Sequence, residues 1–309
     1  MEPQMTTQPT TAIVEVEHFR MDFGSNRVID DLSFEVQRGE TFGFLGSNGS
    51  GKTTTIRALL GIYPPTAGRL VIDGIPFHPE TARTIGYLPE ERGLYKKEPV
   101  IDVMTYFGVL KGMERSAAHD WSLSFLERVE LGGMAKVRLD KLSGGQQQKV
   151  QLGVTIMNQP ELLILDEPTK GFDPVNRRLL LDLIDERRQD GAAVVMVTHQ
   201  MDEVEHSCDR ILLLKDGRSR AYGTVREVQR EFGGMRVKIE YSGTLTESAE
   251  YRILSNDGHQ AVLEPDIDAA ALLELLSSRG ARISQFTPGW RSLDEIFIEV
   301  YGAPEGEVA

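Results

Sequence analysis

The 309-residue chain is 40% apolar and 26% charged, the balance of a globular protein with material enough for two domains. It has no uninterrupted apolar run long enough for a membrane-spanning helix, and its net charge of -13 argues against general affinity for nucleic-acid phosphates. One cysteine, Cys208, excludes an internal disulfide or a cysteine-built metal site and fits a reducing cytosol, where it reads as a small semi-buried residue.

Residues 1–12 are polar and lack the basic start and apolar core of a signal peptide, so they are expected to form a disordered tail. Alternating strands are predicted at 13–16 and 32–36, on either side of a turn-rich loop at Gly24-Ser25-Asn26. Phe23 lies beside that loop, where an exposed ring either stacks on a flat base or packs against the strands.

Residues 40–45 read as a short apolar strand and 53–60 as a helix. Between them stands Gly46-Ser47-Asn48-Gly49-Ser50-Gly51-Lys52-Thr53, the Walker A spacing in its required strand-to-helix setting. The chemistry dictates these residue types. A triphosphate needs a cradle of backbone N–H groups at the positive end of a helix, and glycine lets the backbone come close. Lys52 supplies a point charge for the terminal phosphates and the Thr53 hydroxyl a ligand for Mg²⁺.

Past a breaker cluster at 61–68, residues 69–72 and the turn Asp73-Gly74 predict a hairpin on a peripheral antiparallel sheet. A strand at 85–88 stops at Pro89 and leaves Glu90 and Glu91 on a loop. Three-to-four spacing of apolar residues then marks a helical insert, followed by the buried strand 162–165, which ends in Asp166-Glu167-Pro168. Ligand sites of parallel sheets lie at the carboxyl ends of strands, so those two acids stand where chemistry is expected. A helix at 174–188 leads to a second buried strand at 193–197, ending in Thr198-His199, which calls for a right-handed crossover.

Strand 211–214 and the turn Asp216-Gly217 close the first domain near Phe232, with a hinge at Gly233-Gly234. Strands at 237–241, 251–254 and 282–284 and helices at 269–278 and 293–301 predict a small α+β domain with no catalytic constellation. Residues 236–309 hold 6 basic and 13 acidic residues, a net of -7, which disfavours an anionic-lipid or nucleic-acid surface there.

Leu142-Ser143-Gly144-Gly145-Gln146, opening a predicted helix at 146–157, discriminates among phosphate-loop proteins. Here the chain resembles the ATP-binding cassette (ABC) ATPases: their signature is intact and follows the family's order with Walker A, the Asp166-Glu167 strand end and His199, over about residues 13–232. The resemblance implies an α/β fold: a P-loop NTPase cassette at 13–232 with a RecA-like parallel sheet, an antiparallel subdomain and a helical insert at about 95–160, then a small α+β domain at 236–309.

The same resemblance implies the site. Glu167 polarises the attacking water, His199 senses the γ-phosphate, and Lys52 completes the catalytic set. ATP is contacted by Phe23, by Gly46, Ser47, Asn48, Gly49, Ser50, Gly51, Lys52, Thr53 and Thr54, by Glu90, and by Ser143, Gly144, Gly145 and Gln146. Mg²⁺ is held by Thr53, Asp166 and Glu90, and Gly171-Phe172-Asp173 links the two sites of a dimer. Glu90 departs from the glutamine usual after the Tyr-Leu-Pro strand. With the C-terminal domain, it makes the chain similar to bacterial ABC exporters of the sodium-efflux and multidrug types.

Such a chain is expected to be cytoplasmic, to pair as a homodimer around ATP, and to sit on the inner face of the membrane through a separate integral permease. Leu94, Tyr95, Tyr106 and Phe107 either form the permease groove or belong to the core of the insert. No nucleic-acid partner is expected. A soluble ABC ATPase of repair, translation or cofactor assembly is the alternative, and a nucleotide sensor without turnover is disfavoured because Lys52 and Glu167 are both present.

Overall fold

The computed structural model describes residues 12–91 and 93–302, so all of the expected 1–12 tail but Ala12, together with Arg92, lies outside the described residues. Backbone contacts divide the chain into two units, Met1–Tyr222 and Gly223–Ala309.

The first unit opens with a long hairpin, β1 (Ala12–Phe23) and β2 (Asn26–Gln37), followed by β3 (Thr41–Leu45), α1 (Lys52–Leu59) and β4 (Ala67–Ile72). Ala12, expected in the tail, is paired with Gln37 and buried. Residues 69–72 lie on a peripheral antiparallel sheet as predicted, but β4 pairs with β1, and the predicted hairpin across Asp73-Gly74 is reduced to an isolated Ile72–Ile75 bridge. The edge of β1 offered a full ladder for β4, which a two-stranded ribbon closed on Ile75 does not match.

Next come β5 (Ile85–Leu88), α2 (Val100–Leu110), α3 (Arg115–Arg128), α4 (Gly144–Ile156), β6 (Leu162–Asp166), α5 (Pro174–Gln189), β7 (Ala193–Val197), α6 (Met201–Ser207), β8 (Arg210–Lys215) and β9 (Arg218–Thr224). A six-stranded sheet runs in the order β5-β6-β7-β3-β8-β9, parallel across its first five strands, and β2-β1-β4 form a separate antiparallel sheet.

Two cores explain why the middle strands are apolar without interruption. Successive side chains of a strand point to opposite faces. Leu162 and Ile164 of β6 join Phe42, Phe44, Val195 and the antiparallel sheet on one side, while Leu163 and Leu165 join α2–α5 on the other. Both faces being covered, no position on β6 tolerates a polar residue until Asp166 reaches its carboxyl end. Helix α5 shows the local logic. The Asp173 carboxylate accepts from the N–H groups of Val175 and Asn176, Pro174 takes the first turn, and Leu180, Leu183 and Ile184 form the buried stripe.

The second unit comprises α7 (Val225–Phe232), β10 (Met235–Gly243), β11 (Tyr251–Asn256), β12 (Gln260–Pro265), α8 (Ala269–Ser278), β13 (Ala281–Trp290) and α9 (Leu293–Tyr301). Its antiparallel sheet, ordered β11-β12-β10-β13, buries Val237, Ile239, Tyr241 and Leu263 with Leu272 and Leu276 of α8. Helix α7 packs on β13 and α9 within this unit, because its apolar stripe, Val225 and Val228, needs that cover.

Candidate active site

Four parallel strands deliver their carboxyl ends to one place. Past β3 lies the 46–53 loop, past β5 the Glu90 loop, at the end of β6 Asp166 and Glu167, and past β7 Thr198 and His199. Val28, Asn48, Gly49, Gly51, Lys52, Thr53, Thr54, Glu90, Asp166, Glu167, Val197 and His199 line a single cleft there.

The glycines are dictated by contact. A Cβ on Gly46 would come within 2.5 Å of Ser50 Oγ and 2.6 Å of the Leu214 carbonyl. Gly51 stands at φ +112° under the Ile29 side chain, which leaves no room for a side chain and no other residue type for that backbone. Lys52 Nζ donates to the carbonyls of Gly46 (2.6 Å) and Ser47 (2.9 Å), so the ammonium is folded back along the loop. Burial lowers its pKa, against the pull of Asp166 and Glu167.

The acids differ sharply. Burial, then the neighbouring Asp166, pushes the Glu167 carboxyl up to about 7; burial, then Glu90, raises Asp166. Glu167 adopts φ +51°, an uncommon backbone for a side-chain-bearing residue, anchored by its N–H donating to the Val197 carbonyl at 2.8 Å. His199 Nε2 lies 3.5 Å from Glu167 Oε1, and burial together with Lys52 lowers the imidazole pKa. Glu90 is the exposed acid. Its Oε1 accepts from Lys170 Nζ at 2.6 Å, which holds its carboxyl below the usual range.

Among the described residues, Glu167 Oε1 and Ser50 Oγ are buried without a hydrogen-bond partner, an arrangement that suits a ligand or its water. Thr53, Asp166 and Glu90 offer hard oxygens, the donor set for Mg²⁺. No cluster of three or more acidic, histidine or cysteine side chains able to hold a metal occurs among the described residues. The donor set therefore fits an ion that draws its remaining ligands from phosphate and water.

The expected ATP contacts do not all meet here. Ser143, Gly144, Gly145 and Gln146 are absent from the cleft lining. Ser143 instead caps α4, accepting from the Gln146 N–H (3.3 Å) while its own N–H donates to Gln146 Oε1 (2.9 Å). Phe23, also outside the lining, is exposed at the end of β1 with its ring edge-on to Tyr63 at 5.4 Å. Phe172, expected on a linking loop, is buried beside Gly145, and Asp173 caps α5.

Two features were missed in the sequence. Lys170 carried no signal as the partner of Glu90, since an exposed lysine in a turn is ordinary. Thr169 Oγ1 donates to the buried Glu203, which also meets Arg177 Nε at 3.3 Å, while Gln200 Nε2 donates to Thr169 Oγ1 at 3.0 Å. That network ties the turn after β6 to α6, which follows His199. Three acids within four residues, Asp202, Glu203 and Glu205, hid which of them faces inward.

Residues 29–170 match the family model of the ABC transporter, and residues 223–301 match that of the C-terminal domain of DrrA1-3-like ATP-binding proteins. An uncharacterized ABC transporter ATP-binding protein of Methanocaldococcus jannaschii, MJ1023, is 41% identical over 218 residues, 71% of this chain and 80% of its own. The Nod factor export ATP-binding protein I of Neorhizobium galegae is 36% identical over 247 residues, 79% and 71% of the two chains. A solved structure of the ATP-binding subunit of an ABC transporter superposes with a TM-score of 0.68 at 30% identity, over 71% of this chain and 93% of that one. The chain thus belongs to the ATP-binding subunits of ABC transporters, a family that hydrolyses ATP.

Proposed function

We propose that this chain works as an ATP-driven homodimer that powers a separate integral membrane permease, and that the transporter is an exporter. The observation that carries the reading is the separation within one chain of the P-loop cleft from the capped N-terminus of α4. The cleft supplies donors from one side only, and a second copy's α4 N-terminus would supply N–H donors from the other. ATP between the copies would then close the dimer, and hydrolysis would release it.

Within each cleft Lys52 binds the terminal phosphates once it gives up its loop carbonyls, and the backbone at 46–53 cradles them. Thr53, Asp166 and Glu90 would hold Mg²⁺, which when bound neutralises charge developing on the phosphate oxygens. Glu167, at about 7 in the free chain, takes the proton of the attacking water, and His199 at 3.5 Å orients that carboxylate and meets the γ-phosphate. Phe23 offers a ring for adenine beside Tyr63.

Export is supported by the Nod factor relative, named for that activity. Permease docking is supported by the rings of Tyr95, Tyr106 and Phe107, whose centroids lie 5.5–6.0 Å apart, with Tyr95 and Tyr106 exposed. Leu94 and Phe107 are partly buried against the insert core and would form the floor of that surface. No described helix is long and apolar enough to cross a membrane, in keeping with a division of labour between this subunit and a permease at the inner membrane face. The C-terminal domain, matched from residue 223 rather than from the expected 236, would assist dimerisation or regulation.

The test is to recover tagged Glu167→Gln protein with ATP from detergent-solubilised cells. Co-purification of a polytopic membrane protein supports the reading. Recovery of the soluble dimer alone, or of nucleic-acid machinery, would favour a non-transport ABC ATPase.

A further inference from the structure

Three carboxylates, Glu90, Asp166 and Glu167, line the cleft, and among its lining residues Lys52 supplies the one ammonium. A triphosphate adds several negative charges to that excess. Asp166 and Glu167 are buried at the strand end, but Glu90 is half exposed on its loop, where a carboxylate carries full charge at neutral pH. It is therefore the acid whose repulsion an incoming phosphate meets first.

Lys170 Nζ, 2.6 Å from Glu90 Oε1, is outside the lining yet in position to offset that charge. Both partners stand on held backbone. Gln151 Nε2 reaches the carbonyls of Pro89 and Glu91 on either side of Glu90. Lys170 sits in the turn closed by its own N–H to the Glu167 carbonyl (3.2 Å), next to Thr169, which Glu203 fastens. An ion pair with side chains 64% and 51% exposed contributes little to folding, so stability does not account for so organised an arrangement.

We propose that Lys170 is a positioning residue that neutralises Glu90 and so sets the affinity of the P-loop cleft for a triphosphate. The inference rests on the nucleotide-binding reading and adds a second cation to it, one that acts through Glu90. Its effect is electrostatic, so it scales with phosphate charge, weakens with salt and leaves the binding of uncharged adenosine unaltered.

The experiment measures equilibrium affinity for ATP by displacement of a fluorescent nucleotide, in EDTA at low salt, with thermal melting recorded for every protein. Lys170→Met is expected to bind ATP about fivefold more weakly, a partly screened single charge at a surface site. Lys170→Arg is expected to stay within about twofold of the parent, and adding Lys170→Met to Glu90→Gln is expected to change the affinity of that single variant, taken as its own reference, by less than about twofold. The fivefold difference is expected to shrink to nothing in about 0.5 M salt, where screening is strong. Unchanged affinity in Lys170→Met overturns the proposal. So does a fivefold loss on adding Lys170→Met to Glu90→Gln, which would mean that Lys170 touches the ligand itself, and so does a weakening accompanied by loss of the folded state. A parent that binds no ATP would instead bring down the nucleotide-binding reading, with the pair falling alongside it.

Discussion

Glu167 Oε1 lies 3.5 Å from His199 Nε2, buried and without a hydrogen bond among the described residues, just past β6, whose residues before Asp166 are all apolar. A carboxyl held there is charged only at a cost. The free chain keeps it half protonated near neutrality, at about 7. The folded pKa lies above the unfolded value of 4.5, so for an acid the sign is destabilising: below 4.5 both states are protonated and nothing is lost. As pH rises from 4.5 to about 7 the unfolded chain ionises first, and the fold loses on the order of 3 kcal/mol by pH 8.

Glu167→Gln removes that loss. The nucleotide-free variant is expected to melt several degrees above the parent at pH 8, with the difference gone at pH 4, as read by differential scanning calorimetry. Equal melting temperatures at pH 8 would place Glu167 in contact with water. In the presence of ATP the same variant should bind nucleotide, lose about 10²- to 10⁴-fold in phosphate release, and accumulate as a dimer on size exclusion. Near-normal turnover would mean that a different group takes the proton.

How much of this could be read in advance follows from the range of each interaction. The 46–53 loop was legible because a phosphate cradle fixes residue types at contiguous positions, and β6 because burial on both faces removes every polar residue before Asp166. Glu90 with Lys170, and Thr169 with Glu203, were not, since 80 and 34 residues separate the partners and neither residue looks unusual alone. Helix α6, with seven residues, is too short to show periodicity. The placement of β4 against β1 depended on a competition between sheet edges that local turn chemistry does not report.

Lys52→Ala tests the P-loop. Among the described residues the Lys52 ammonium bonds only the Gly46 and Ser47 carbonyls within its own loop, so its loss should leave the fold intact while removing a charged contact worth about 1.5–3 kcal/mol to the ligand. Affinity for ATP is then expected to fall about ten- to 150-fold by isothermal titration calorimetry. Unaltered affinity would take Lys52 out of the phosphate site.

Ser143 has two separable duties. As the cap of α4 it satisfies the Gln146 N–H, and Ser143→Ala should cost about 1 kcal/mol and lower the melting temperature by a few degrees. As a donor to a second copy's nucleotide it should matter only in the dimer. Ser143→Arg, introduced into the Glu167→Gln background, is expected to keep ATP binding by the monomer and to abolish the ATP-dependent dimer on size exclusion. Survival of that dimer would count against an α4 N-terminus facing the partner's cleft.

Glu203 should couple stability to turnover. It is buried, burial raises its pKa, and its two oxygens take Thr169 Oγ1 while facing Arg177 Nε. Glu203→Ala leaves the Thr169 hydroxyl with Gln200 alone and Arg177 without its acid, at a cost of about 1–3 kcal/mol. Because Thr169 follows Glu167 by two residues and α6 follows His199 by two, the 3.5 Å relation between those catalytic candidates should loosen as well. The expected signature is a fall in kcat with little change in KM for ATP, since the P-loop is untouched. Glu203→Gln keeps an acceptor for Thr169 and should recover most of kcat but less of the stability. A rise in KM for ATP with kcat preserved would instead assign the network to the nucleotide cradle.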